Sequence, residues 1–252
     1  MFDLTGRTAL ITGGGSGIGK HCAEVIARHG AAVVVVGRRA DLLELTVRSI
    51  RSSGGTGFAV TMDVARESSV VAGIGEATRL AGTVDILINN AGIAGTSSAL
   101  DMTEQEWDAV VDVNLKGAWL CAREFARRLV AQQKGGTIVN VASILGLMTQ
   151  KGTAPYGASK AALIHLTRIL ASEWVRYRIR VNGLAPGYIS SDMADGFFAT
   201  PRGAKVLQLI PQRRVGTVED LTAPLLLLAS DASSYMTGTV IPIDGGLSLG
   251  NY

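Results

Sequence analysis

Thr8-Ala-Leu-Ile-Thr12 followed at once by Gly13-Gly-Gly-Ser-Gly-Ile-Gly19 is the stretch that decides the fold. Its first five residues read as a short apolar strand. A helical pattern runs from the glycines to Arg28 and stops at Gly30. Strand, glycine-rich turn and helix in that order set backbone amides and a positive helix end against phosphate. The spacing is Thr12-Gly13-x-x-x-Gly17-x-Gly19, and Ile18 stands where the third glycine of G-x-G-x-x-G would fall. A glycine-rich turn alone is only a turn. Between a buried strand and a helix it predicts a dinucleotide cradle made of Gly13, Gly15, Ser16, Gly17, Ile18 and Gly19.

Outward from there, strands and helices alternate. Val33 to Val36 is a second strand ending in Gly37-Arg38-Arg39. A carboxylate at this position would hold a ribose 2′-hydroxyl, whereas arginine suits a 2′-phosphate. Arg38, supported by Arg39, therefore favours NADP(H), with NAD(H) possible; the competing reading is two solvated arginines at a helix start. Gly57 to Val64 is a third strand. Asp63 at its end is placed to accept from an adenine amine or to cap the helix beginning near Ser68, and Val64 adjoins it. Val84 to Gly92 is a fourth strand, where Asn89 fixes the turn and Asn90, Ala91 and Gly92 let a cofactor approach closely. Thr103 and Glu106 form a capping box for a helix running through Trp107, Val110 and Asn114 towards Leu129. Asn114, amid apolar neighbours, requires a hydrogen-bond partner, and a satisfied buried amide is what its position alone predicts. Thr137 to Ser143 is a fifth strand, Arg178 to Ser191 carries a sixth into a Pro186-Gly187 turn, and Thr239 to Pro242 is the last. Tyr188 to Leu209 reads as irregular, and about 188–210 as a lid over a strand end. Thr217 to Asp220 opens the final helix. Such alternation predicts an α/β fold, a parallel sheet covered on both faces, in one domain over 1–252.

The chemistry concentrates in Ser143 to Lys160. Tyr156 and Lys160 lie four apart and share a helix face, and Ser143 ends the preceding strand at the crevice where parallel sheets bind ligands. A free phenol titrates near ~10 and is a poor base at neutral pH; a neighbouring cation favours the phenolate. The trio suggests proton transfer at a carbonyl or alcohol oxygen. Tyr-x-x-x-Lys by itself is a common accident, so the surrounding chain carries the weight.

Composition narrows the classes. The chain has 252 residues, nearly half apolar, with a net charge of +3. Basic residues cluster at Arg123 to Arg128 and Arg176 to Arg180, but no aromatic-interleaved basic surface accompanies them, which favours exposed helix faces and ends over nucleic acid. Cys22 and Cys121 are far apart, and His21, His29 and His165 are scattered, so no disulfide framework, metal site or histidine-based hydrolase is expected. The amino terminus lacks a signal-peptide layout and the longest apolar run, Pro224 to Ala229, is far too short to cross a bilayer. A cytoplasmic, soluble protein is expected, with no membrane partner.

In order and spacing, Thr12-Gly-x-x-x-Gly-x-Gly19, Asn89-Asn-Ala-Gly92, Asn114, Ser143, Tyr156-x-x-x-Lys160 and Pro186-Gly187 resemble the short-chain dehydrogenase/reductase family in its compact branch. The likeness covers essentially the whole chain and is nearest to 3-oxoacyl-carrier-protein reductases and gluconate 5-dehydrogenase-like sugar reductases. It implies a Rossmann-like fold with a seven-stranded parallel sheet, a nicotinamide cofactor and a tetrad of Asn114, Ser143, Tyr156 and Lys160. Tyr156 would be the general acid in reduction and the base in oxidation, and Ser143 would polarise the substrate oxygen. Lys160 would lower the Tyr156 pKa and bond the nicotinamide ribose, with Asn114 holding a water in the proton relay. Pro186, Gly187 and Ile189 would border the nicotinamide, and Ser191 replaces the family's threonine there. Expected pocket walls are Leu145, Leu147, Met148, Gln150, Tyr188, Phe197 and Phe198, mostly apolar. They suit a medium-sized ketone or secondary alcohol with an apolar arm better than a small charged sugar acid. Apolar residues around much of the helix from Tyr156 to Trp174 call for cover by another chain, and with the family's habit imply a homotetramer. The competing readings are a gluconate 5-dehydrogenase-type sugar enzyme, a cofactor-binding regulator without turnover, and a dehydratase or epimerase.

Overall fold

The apolar runs become a seven-stranded sheet in a computed structural model that describes residues 2–95, 98–190 and 200–250. The strands are β1 (Thr8–Thr12), β2 (Ala32–Gly37), β3 (Thr56–Thr61), β4 (Ile86–Asn89), β5 (Gly136–Val141), β6 (Ile179–Pro186) and β7 (Val240–Ile243). All neighbouring pairs are parallel, in the order β3-β2-β1-β4-β5-β6-β7. The expected α/β, Rossmann-like architecture is therefore what the chain forms.

Every residue of β1 and β4 is buried, as strands covered on both faces must be. Alternation along β1 sends Ala9 and Ile11 to one side and Leu10 to the other. Ala9 and Ile11 pack with α1 (Gly17–Arg28), α2 (Ala40–Ser52) and α8 (Thr222–Ala229) through Cys22, Ile26, Leu43, Val47, Leu225 and Leu228. Leu10 packs with α3 (Glu67–Ala81), α5 (Gly117–Ala131) and α6 (Ala154–Trp174) through Ile74, Leu120, Phe125, Leu129 and Leu170. The chain runs outward from β1 to β3, then crosses to β4 on the other side of β1. Strand order thus reverses between β1 and β4, and the crevice beyond their carboxyl ends is the fold's ligand position.

Several elements differ from the sequence reading. The third strand ends at Thr61, and the following helix starts at Glu67 with Arg66 at its N-cap, so Asp63 does not cap it. The Asp63 carboxylate instead accepts from Ala65 N at 3.1 Å, turning the chain before the helix begins. The Thr103–Glu106 capping box is present and opens α4 (Glu104–Val111). The helix does not continue regularly to Leu129: a π turn spans Asp112–Lys116 before α5. Within the stretch read as irregular, Pro201–Leu209 is a helix, α7, with Thr200 at its N-cap accepting from Gly203 N. Proline at the start of a helix costs no hydrogen bond, so Thr-Pro there was a start signal. Phe197, Phe198 and Ser191 lie outside the described residues. No helix among the described residues is long and apolar enough to cross a membrane.

Candidate active site

At the end of β1 the glycine turn is lashed to the end of β4 by side chains. Thr12 Oγ1 accepts from Asn90 N and Ala91 N, both at 2.9 Å, and the Asn90 amide donates to the carbonyls of Thr12 (3.0 Å) and Gly13 (3.3 Å). Turn-fixing thus falls to Asn90. Asn89 instead donates to Ala118 O and Asn140 Oδ1, both at 3.0 Å, deeper in the sheet. The organising role of Thr12 is one the sequence reading missed.

Gly13, Ser16, Gly17, Ile18 and Gly19 line a cleft of 720 Å³ that also reaches Asn90, Gly92 and Ile189. The start of α1 has no side-chain cap and no acidic residue in its first turn. Gly17 has φ +52°, and a Cβ there would meet no atom within 4 Å. The first-turn amides are therefore left to a ligand, and their partial positive charge suits an anion. At Gly19 a Cβ would run into the Gly13 carbonyl and the Asn90 amide, so glycine is required for packing. An adjoining cleft of 170 Å³ is lined by Gly15, Arg38, Arg39, Asp63, Val64 and Ala91 among others. Both arginines are exposed, and Arg39 reaches Ser16 Oγ at 3.5 Å. Phosphate amides at one point, guanidinium groups at the next strand end and a carboxylate beyond fit an adenine dinucleotide carrying an extra phosphate.

The catalytic candidates gather at the other end. Pro155 lies in the first turn of α6, and Tyr156 and Lys160 follow one turn apart. Lys160 is 4% exposed. Its Nζ donates to Val141 O at 2.7 Å and stands 5.6 Å from the centre of the Tyr156 ring. Ser143 is buried two residues past β5; its hydroxyl accepts from Leu145 N at 3.1 Å and lies near enough to Tyr156 to lower the phenol's pKa. Asn114, inside the π turn, accepts from Ile93 N at 2.8 Å and donates to Ile93 O (3.0 Å) and Ser159 Oγ (3.2 Å). Ser159 in turn donates to Tyr156 O at 2.8 Å, so Asn114 braces the turn of α6 that carries the tyrosine. It is a satisfied buried amide, as its position predicted. A Cβ on Gly92 would lie 3.3 Å from Asn114 Oδ1 and 3.5 Å from Lys160 Nζ, which puts all three around one point.

The electrostatics depart from expectation. Burial raises the Tyr156 phenol, and the Ser143 hydrogen bond lowers it by less. Burial also pushes Lys160 down to about 8. The lysine is spent on a main-chain carbonyl, so within the chain itself the phenol is not acidified as the sequence argument supposed. Below about 8 the ammonium persists as a buried charge.

Of the remaining residues, Gly187 N donates to Ile243 O at 2.9 Å beside the buried Pro186. Ile189 pairs with Gly216 in an isolated parallel bridge. Leu145 is half-buried, and Gln150 Oε1 accepts from the Tyr188 hydroxyl at 2.7 Å across the mouth. Tyr188 packs with Met148 and Leu207 against Ile144, Ile210 and Leu247. Both cysteines are buried, which pushes each thiol up to about 12 and leaves it inert.

The chain is similar to known proteins along nearly its whole length. The family model described as enoyl-(acyl carrier protein) reductase matches residues 13–248. The chain is 34% identical over 250 residues to gluconate 5-dehydrogenase of Gluconobacter oxydans (strain 621H), covering 99% of this chain and 97% of that one. It is 38% identical over 243 residues to a 3-oxoacyl-(acyl-carrier-protein) reductase of Staphylococcus epidermidis, covering 96% and 98%. The structure of a gluconate 5-dehydrogenase from Burkholderia cenocepacia J2315 in complex with NADP and tartrate superposes with a TM-score of 0.93 at 35% identity, covering 99% and 98%.

Proposed function

Since this chain belongs to the short-chain dehydrogenase/reductase family, we propose that it interconverts a ketone and a secondary alcohol with NADP(H), with Tyr156 as the proton carrier. It is an oxidoreductase acting on CH–OH and C=O groups. The observation that carries the catalytic reading is the Tyr156 ring with the buried Lys160 Nζ 5.6 Å from its centre, at the strand end that carries the buried Ser143. The reading takes residues 1–252 as one dinucleotide-binding domain.

A nicotinamide bound in the cleft would supply or accept the hydride. Ser143 offers its hydroxyl to the substrate oxygen and holds it beside Tyr156, which gives up its proton in reduction and takes one in oxidation. The raised pKa of the phenol suits it to remain the acid at neutral pH. Lys160 contributes a cation that disfavours leaving the phenol neutral once a second positive charge stands beside it. Asn114 keeps the tyrosine's turn in place through Ser159. Gly13, Gly15, Ser16, Gly17, Ile18 and Gly19 would hold the diphosphate on main-chain amides, Arg38 and Arg39 the 2′-phosphate, and Asp63 the adenine amine.

Leu145, Met148 and Tyr188 favour a medium-sized ketone with an apolar arm. A carboxylate-bearing sugar acid is the competing substrate. The relatives named for gluconate keep that alternative in the test. Ala161 and Ile169 are exposed on α6, 41% in the case of Ile169, and support a homotetramer. A reduced, cytoplasmic setting agrees with two unpaired cysteines. The experiment is a panel of apolar ketones, 3-oxoacyl esters and gluconate, each with NADP(H) and NAD(H), followed at 340 nm. Turnover of apolar ketones with NADPH is expected; a clear preference for gluconate would overturn the substrate assignment.

A further inference from the structure

Asp220 stands at a crossing of bonds away from the catalytic cluster. Its two oxygens take Arg214 Nη1 at 2.6 Å and Nη2 at 2.9 Å, a fork-on-fork ion pair. Oδ2 also accepts Thr217 N at 2.8 Å and completes a capping box. The loop closed in this way carries Gly216. Gly216 N donates to Tyr188 O at 2.9 Å, and Gly216 O accepts from Ser190 N at 2.7 Å, which holds Ile189 in parallel register. A Cβ on Gly216 would sit 2.9 Å from Ile189 Cδ1 and 3.4 Å from Asp220 Oδ2, so the three are in direct packing. Ile189 and Ser190 wall the 720 Å³ cleft at the glycine turn. Arg214, Gly216 and Asp220 face a different cavity, of 460 Å³, behind Tyr188. The ion pair borders the back of the main-chain segment whose front meets the cofactor cleft.

We propose that Arg214 and Asp220 are a positioning pair. By fixing Gly216 they fix the main chain of Tyr188–Ser190, and with it the grip on the nicotinamide end of the cofactor, leaving the adenosine end untouched. The inference rests on the dinucleotide reading of the cleft. Loosening the pair loosens Gly216 and, through its two main-chain bonds, Ile189, and a displacement of about 1 Å at a reacting centre can cost about 100-fold in rate. Arg214, and after it the Thr217 amide, hold the Asp220 carboxyl down at about 2, so the pair is ionised throughout the working range of pH. Titration does not release it; substitution does.

The test compares two ligands in Asp220→Asn, Arg214→Met and Arg214→Lys. Dissociation constants are measured for NADPH, which reaches both ends of the cleft, and for adenosine 2′,5′-bisphosphate, which reaches one. Asp220→Asn keeps an acceptor for Thr217 N and is the variant expected to retain its fold. The expected result is NADPH weakened about tenfold and turnover lowered with it, while the bisphosphate stays within about twofold. Arg214→Lys should fall between wild type and Arg214→Met, since it keeps the charge and loses the fork. A purely structural role would weaken both ligands together, and that result, or no change in either, overturns the proposal. If the wild type binds NADH and ADP in preference to the phosphorylated ligands, the 2′-phosphate reading fails, and the same ratio taken with NADH and ADP still decides the positioning pair.

Discussion

The two ends of the cleft are made of different material. At the phosphate end the groups that meet a ligand are main-chain amides, exposed because α1 begins without a capping side chain. The start of α4 is the internal contrast: the Thr103 and Glu106 side chains accept from each other's amides there, and the first turn carries two acidic residues that repel an anion. At the catalytic end the groups are side chains, and Asn114, Ser143 and Lys160 are each buried and bonded within the protein. A main-chain cradle depends on glycines and tolerates change elsewhere. A side-chain cluster depends on each member's identity.

The sharpest break in that contrast is Tyr156→Phe, which removes one oxygen and alters little packing. Its kcat is expected to fall about 10³-fold or more, with NADPH affinity unchanged; retained turnover would dismiss Tyr156 as the proton carrier. Lys160→Met should lower kcat by about 100-fold, and its effect on stability separates the two ends further. Burial lowers Lys160 from 10.5 to about 8, so between those values the unfolded chain holds a proton that the folded chain sheds. Stability contributed by this group therefore rises with pH across that window, and below it the buried ammonium costs the fold about 3 kcal/mol. Relative to Lys160→Met, wild type should gain stability in urea titrations from pH 8 to pH 10; parallel curves would show that the lysine is not buried as a charge.

At the phosphate end, Gly19→Ala forces a methyl group into the Gly13 carbonyl. Calorimetry should register a loss of about 1–3 kcal/mol and cofactor titration a weaker complex, both without any change in the pH profile of turnover. The smallest effect belongs to the exposed Arg38. Arg38→Asp should raise KM for NADPH about tenfold and leave NADH within about twofold; equal shifts would move the phosphate contact elsewhere.

The cradle was legible because glycine spacing, flanked by periodic apolar runs, is a local signal. Thr12-Gly13-x-x-x-Gly17-x-Gly19 names its own geometry, and Val33 to Val36 could hardly be anything but a buried strand. At the catalytic end spacing made Tyr156, Lys160 and the strand-end Ser143 legible as a candidate trio, but Asn114 joined them only through the resemblance to a family pattern, since nothing local says that residues this far apart in sequence converge. Long-range hydrogen bonds defeated the residue-level detail. Asn89 and Asn90 look interchangeable in sequence, yet only Asn90 has Thr12 and Gly13 opposite it. The direction of the Tyr156 shift was missed because a helical spacing shows proximity to Lys160 without showing that the phenol is buried or that the Lys160 ammonium donates to Val141 O.

The π turn at Asp112–Lys116 bears on how the chain tolerates shortening. Gly117 N reaches back five residues to Asp112 O, so this coil holds one residue more than a regular spiral needs. A deletion elsewhere in a helix rotates everything beyond it by about 100° and turns its apolar stripe off the core. Removing Val113 instead should let the ladder close to ordinary pitch, with Val110 on one side and Phe125 and Leu129 on the other still facing inward. Such a shortened protein is expected to give a native circular dichroism spectrum while losing the clamp between Asn114 and Ile93, an enzyme silenced by becoming more regular.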